Sequence, residues 1–165
     1  MNNSFGIIAE FSIGLAGFSG IVALIGNVPI KIHRFRVSNL LKTAFIPGFC
    51  ALLGLVLLHL GQQVEQVIRF TSATLGLAVL LFLVTALRSI RYFDESARLL
   101  LNRRILWFNI VTISLNMLAQ FFNSFVVTVY AEAILLGGLV HLLLSGTITF
   151  SSIIGLILSH RENAA

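Results

Sequence analysis

The sequence predicts an all-α fold, a polytopic bundle of about five transmembrane helices with the N-terminus outside and the C-terminus in the cytoplasm. Three observations predict it. Hydrophobic residues make up 58% of the chain and charged residues only 10%, whereas a soluble domain carries about 25% charged residues. Five apolar runs are long enough to cross ~30 Å of hydrocarbon at 1.5 Å per helical residue. Ten of the eleven Lys and Arg residues fall where they would lie on one side of a membrane, the side that retains basic loops. With so little polar surface, the 165 residues are expected to form one domain, a helical bundle in lipid.

The first span is placed at residues 5–28. It has no basic residue before it and a dense basic cluster after it, the pattern of a retained, N-out anchor and not of a cleaved leader. Its one charged residue is Glu10, and insertion of a carboxylate into a span costs about 2.5–3.5 kcal/mol. Two readings of Glu10 stand. At ~8 Å below the outer surface it can reach up to the headgroups. Alternatively it is buried, because Gly6, Glu10, Gly14, Gly17 and Gly20 recur every three or four residues along one face, a device that lets two helices approach closely. That stripe predicts a tight helix contact.

The second span, residues 43–60, follows Lys31, Arg34, Arg36 and Lys42. It holds Pro47, whose missing N–H and ring clash predict a kink. Its single cysteine, Cys50, leaves no partner for an internal disulfide or a multi-cysteine metal site. The third span covers residues 71–87. Between it and the fourth, residues 91–104 read RYFDESARLLLNRR, which suits a short interfacial helix held against anionic lipid or a contact for a soluble partner.

Residues 105–159 are too long for one crossing, so a turn is expected within 123–132 and spans four and five at 105–127 and 133–159. The alternative is four spans, with a last segment that only dips into the membrane. The fourth span sets Asn109, Thr112, Asn116, Gln120 and Asn123 on one face, for interhelical hydrogen bonding or for lining a hydrated path. His141, in the fifth span, lies at a depth close to that of Glu10. Glu10, His141, Asn116 and Gln120 are therefore the candidate intramembrane site. If Glu10 and His141 meet, they form a titratable pair suited to proton relay or cation coordination; otherwise His141 is a neutral, hydrogen-bonded histidine. Ser145 to Thr149, with Ser151 and Ser152, suits a broken helix or hydroxyls bonded back to their own helix.

The net charge of +5 does not indicate a nucleic-acid partner, since the basic residues lie beside apolar runs and no stacking platform accompanies them. No phosphate-cradling glycine loop, metalloprotease signature or cysteine pair is present, so neither an enzyme nor a cofactor or metal is expected. Neither end carries a prenylation or acylation signal, so anchoring is expected to rest on the spans. The expected partners are membrane lipid and either further copies of the chain or another membrane protein.

In the first span, Ala9, Glu10 and then Ala16-Gly17-Phe18-Ser19-Gly20-Ile21-Val22 resemble a recurrent segment of small uncharacterised bacterial inner-membrane proteins. The resemblance extends loosely to the proline of span two and the glycine- and leucine-rich last span. It implies a multi-pass protein of a bacterial inner membrane and brings no activity or site residue with it. Two functions fit: permeation of ions, protons or a small solute through an oligomeric bundle, or a non-catalytic membrane subunit packed against itself or another membrane protein.

Overall fold

A computed structural model describes residues 1–25, 31–93, 103–126 and 128–162. Five helices account for nearly all of them: α1 (Asn2–Ile25), α2 (Lys31–His59), α3 (Val64–Arg91), α4 (Arg103–Phe125) and α5 (Ala131–Glu162). No strand occurs among the described residues. Among the described residues, four helices contain stretches long and apolar enough to cross a membrane, Asn2–Ile21, Phe35–His59, Val64–Arg91 and Ala131–Gly155. The fourth helix, α4, is 23 residues long but interrupts its apolar surface with Asn109, Asn116, Gln120 and Asn123.

Where helices end, local chemistry ends them. Gly61 adopts φ +75°, a left-handed conformation that glycine takes without steric penalty. The Gly61 N–H donates to the Leu58 carbonyl and the Gln62 N–H to that of Leu57, both at 3.1 Å, closing α2 as a Schellman motif. Gln63, extended at φ −63° and ψ 142°, opens α3, so α2 and α3 form a tight helical hairpin. A second short connection joins α4, ending at Phe125, to α5, beginning at Ala131. There the Ala131 N–H donates to the Thr128 carbonyl at 3.0 Å. This turn lies inside the stretch 123–132 where the sequence requires one.

Side-chain contacts fix the direction of each helix. Gly48 faces Ser12 and Gly54 faces Phe5, so α2 runs antiparallel to α1. Lys42 Nζ reaches Thr85 Oγ1 at 3.3 Å, joining α2 to α3. Asn123 bonds Ser72 and Phe121 packs on Gly76, setting α4 antiparallel to α3. Asn123, Gln120 and Asn116 bond the carbonyls of Ala131, Ile134 and Gly138 in turn, so α5 descends as α4 rises. The topology is up-down throughout, with α1, α3 and α5 parallel.

The bundle is apolar outside as well as inside. Phe5, Leu40, Leu75, Leu135, Leu139, Leu142 and Ile153 are fully buried, while Phe11, Phe49, Leu81, Phe108, Leu115, Leu118, Leu144 and Ile148 are each at least 46% exposed. So large an exposed apolar belt suits acyl chains and not water. Exposed aromatic residues with a polar edge mark both ends, Tyr130 at one and Tyr92 and Trp107 at the other, as at membrane interfaces.

The start of the second span changes. The α2 helix begins at Lys31, twelve residues before the predicted span, because residues 31–42 continue a helix-competent sequence beyond the apolar run. Pro47 lies inside this helix. Of the two readings of Ser145 to Thr149, the structure shows the hydroxyls bonded back to their own helix: α5 is continuous, and Thr147 and Thr149 donate to the carbonyls of Leu143 and Ser145 at 2.9 and 2.8 Å. The expected interfacial helix falls largely on residues 94–102, outside the described residues.

Candidate functional site: a buried ladder of amides and a histidine

The α4 polar stripe forms because residues 116, 120 and 123 lie one helical turn apart and face α5. Each side-chain amide donates to a backbone carbonyl of the neighbouring helix: Asn123 to Ala131 at 2.9 Å, Gln120 to Ile134 at 2.9 Å and Asn116 to Gly138 at 3.1 Å. Gln120 also donates to Asn116 Oδ1 at 3.3 Å. Asn123 reaches across to Ser72 Oγ on α3 at 2.9 Å. Gln120 and Asn123 are completely buried and Asn116 is 8% exposed. Close approach is made feasible by Gly138, where an added Cβ would collide with Gln120 and Asn116.

The ladder ends at His141. Asn116 Nδ2 lies 3.3 Å from His141 Nδ1. The same nitrogen also donates to the Gly138 carbonyl, so it is a donor, and Nδ1 must accept. The neutral ring then carries its hydrogen on Nε2. Among the described residues no group accepts from that Nε2. His141 is half-buried at the seam of α4 and α5.

Asn116, Gln120 and His141 thus stand together, and Glu10 does not join them. The α1 helix turns Phe5, Ile8, Ala9, Ser12, Leu15 and Ser19 inward, and Glu10 is exposed on its outer face. No hydrogen bond or ion pair to Glu10 forms among the described residues. The glycine stripe follows it outward: a Cβ at Gly6, Gly14, Gly17 or Gly20 would meet nothing within 4 Å. Among the described residues no helix makes the close contact predicted for these glycines. Larger apolar side chains on the opposite face bury more area against α2 and orient α1 accordingly.

The glycines that admit neighbouring helices are others. A Cβ at Gly48 would come within 2.7 Å of Ser12 Cβ, one at Gly54 within 2.5 Å of the Phe5 ring, and one at Gly146 within 3.0 Å of Leu15 and Thr43. Spacing alone could not find them, since what marks them is the side chain of another helix directly opposite.

Among the described residues, four buried side-chain oxygens lack a partner: Ser12 Oγ, Thr71 Oγ1, Gln120 Oε1 and Asn123 Oδ1. Two of these belong to the ladder, where unpaired acceptors cost about 1–3 kcal/mol each unless water or a solute satisfies them.

Beyond the ladder, toward the basic end, a cavity of about 250 Å³ opens between α2, α3, α4 and α5. Arg36, Asn39, Thr43, Asn109, Ser145 and Thr149 line its polar side. Phe82, Leu87, Ile113 and Ile148 line its apolar side. Ser145 lies one helical turn from His141, and Ile113 one turn from Asn116. Asn109, the first residue of the α4 stripe, faces this cavity and not the ladder. Among the described residues no group of three His, Cys, Asp or Glu side chains converges to hold a metal ion.

Compared with known proteins, the chain matches no family model, no curated protein and no solved structure.

Proposed function

We propose that this protein is a five-span membrane protein that conducts a small polar solute or protons. In this reading the ladder of Asn116, Gln120 and His141 is the narrow part of the path, and the cavity beside Arg36 is its inner vestibule. The observation that carries the reading is their continuity. A vestibule with room for about eight waters, at ~30 Å³ each, ends one helical turn from His141, and unpaired Gln120 Oε1 and Asn123 Oδ1 extend the polar file onward.

Five crossings suit the topology. Because α4 runs antiparallel to both α3 and α5, it shares their depth, and its stretch from Trp107 to Phe125 is about 27 Å long at 1.5 Å per residue. Its amides cost little there because they bond to neighbouring backbone. The orientation follows the charges. Arg36, Arg88, Arg91 and Arg104 sit at one end with the first turn of α2, and Arg69, paired to Glu65 at 2.8 Å, sits at the other with Glu132. The basic end is cytoplasmic, with the N-terminus outside. Resemblance of the first span to small bacterial inner-membrane proteins supports that membrane as the location.

The test is flux through proteoliposomes, measured for protons and for small uncharged and anionic solutes. Wild type should conduct at least one of these, and His141→Ala and Gln120→Leu should lower its flux tenfold or more while the protein remains folded and monodisperse. Unchanged flux in both variants, or none in wild type, contradicts the proposal. A second reading, a non-catalytic membrane subunit, is favoured by the outward Glu10 and glycine face of α1. It predicts no flux in wild type and a stoichiometric partner retained in mild detergent.

A further inference from the structure

Glu10 and His141 do not meet within the chain, yet the helices that carry them are in register. The Met1 amino group lies 3.3 Å from Glu132, and a Cβ at Gly146 would lie 3.0 Å from Leu15. Both pairs are separated by 131 residues, so α1 and α5 run parallel with residue n of α1 level with residue n + 131 of α5. By that register Glu10 stands level with His141 and Gly6 with Gly137.

Both positions are open. Glu10 is exposed with no partner among the described residues, and the space around Gly6, Gly14 and Gly137 is empty to 4 Å. His141 is half-buried with its Nε2 unused, one turn from Gly137. An unpaired carboxylate on an acyl-facing surface is costly, and so is a ring N–H with no acceptor. Each group is the other's missing partner: the carboxylate accepts and Nε2–H donates, a charge-assisted bond. Within one chain they lie on different outward faces, and a second copy inserted in the same orientation brings both groups to one depth.

We propose that this chain assembles with itself, the outer face of α1 in one copy docking on the α4–α5 seam of the next, with Glu10 bonded to His141 across the interface. Copies inserted in one orientation share depth, so groups that are level within the chain are level between copies. Gly6 and Gly137 face each other one turn from the bond and let the helices approach closely. The contact is heterologous: each copy presents an α1 face and an α5 face, and repetition gives a ring where the rotation closes. Ile7, Phe11, Val140 and Leu144, each at least 43% exposed in the single chain, flank the contact.

The proposal rests on the membrane-spanning reading and not on permeation, so its test is structural. In a Cys50→Ala background, the pair Gly6→Cys and Gly137→Cys is oxidised in native membranes. Both sites have room for a side chain, and a disulfide requires Cα atoms within ~7 Å. The expected result is a ladder of cross-linked multiples of one chain mass. Gly6→Cys with Leu118→Cys, at the same depth but on the outer face of α4, should give at least tenfold less product. Glu10→Lys in the Gly6/Gly137 cysteine pair should lower the yield roughly tenfold, as expected for loss of a bond to a charged group. The combined exchange Glu10→His and His141→Glu should restore it. Absence of the ladder, equal yield from the Leu118 pair, or adducts whose mass is not a multiple of this chain overturns the proposal. Absence of flux with the ladder intact would count against permeation alone.

Discussion

Gln120 shows how an amide is accommodated in an apolar bundle. Its Nε2 donates to Ile134 and Asn116, while its Oε1 is buried without a partner. Replacing Gln120 with Leu removes two donor contacts and one orphaned acceptor together, so the loss of stability should be small, about 1 kcal/mol or less. Asn116→Leu should cost more, roughly 1–2 kcal/mol, because it frees the Gly138 carbonyl, the Gln120 amide and His141 Nδ1 at once. Thermal unfolding in detergent, comparing the two variants, checks this order; a larger loss for Gln120→Leu would contradict it. At this scale the sequence was informative for α4, whose amides recur at helical spacing and are too polar to face lipid. It was uninformative for Glu10. Two stripes run along α1, one of glycines with Glu10 and one of Phe5, Ile8, Ser12, Leu15 and Ser19, and periodicity does not say which turns inward. The difference in buried apolar area decides it, and that requires knowing the surface opposite.

At the scale of the helices, glycine has two uses. Gly54 lies under the Phe5 ring and Gly138 under Gln120 and Asn116, so an added methyl must displace a packed side chain. Gly54→Ala and Gly138→Ala should each destabilise by about 1–3 kcal/mol. Gly14→Ala has open space and gains up to ~1 kcal/mol of helix propensity, so the isolated chain should be unchanged or more stable. Melting temperatures of the three variants in detergent separate these outcomes, and equal losses at all three positions would contradict the assignment. Helix existence was legible from apolar run length, and the α4–α5 turn from the impossibility of crossing 55 residues at once. Helix ends were not. The α2 and α3 helices extend past their apolar runs because a helix continues wherever backbone bonding does, and hydropathy marks where an apolar run ends, not where the helix does.

Among the described residues the molecule presents apolar surface along its length, with Glu10 on α1 the charged exception, and keeps most polar groups for a file along α4 and α5 and for its two ends. Composition alone indicated that inversion; the cavity between α2 and α5 was not indicated, because its wall combines residues far apart in sequence, Arg36 and Asn39 with Asn109, Ser145 and Thr149. Everything about the path depends on α4, the least apolar of the five helices, traversing the bilayer beside α3 and α5. The direct measurement is labelling by a membrane-impermeant thiol reagent, in a Cys50→Ala background, of single cysteines replacing Gln62, Tyr92 and Thr128. The structure predicts that Gln62→Cys and Thr128→Cys react from one side of the membrane and Tyr92→Cys only from the other. Reaction of Tyr92→Cys and Thr128→Cys from the same side would mean that α4 does not cross, and would contradict the account.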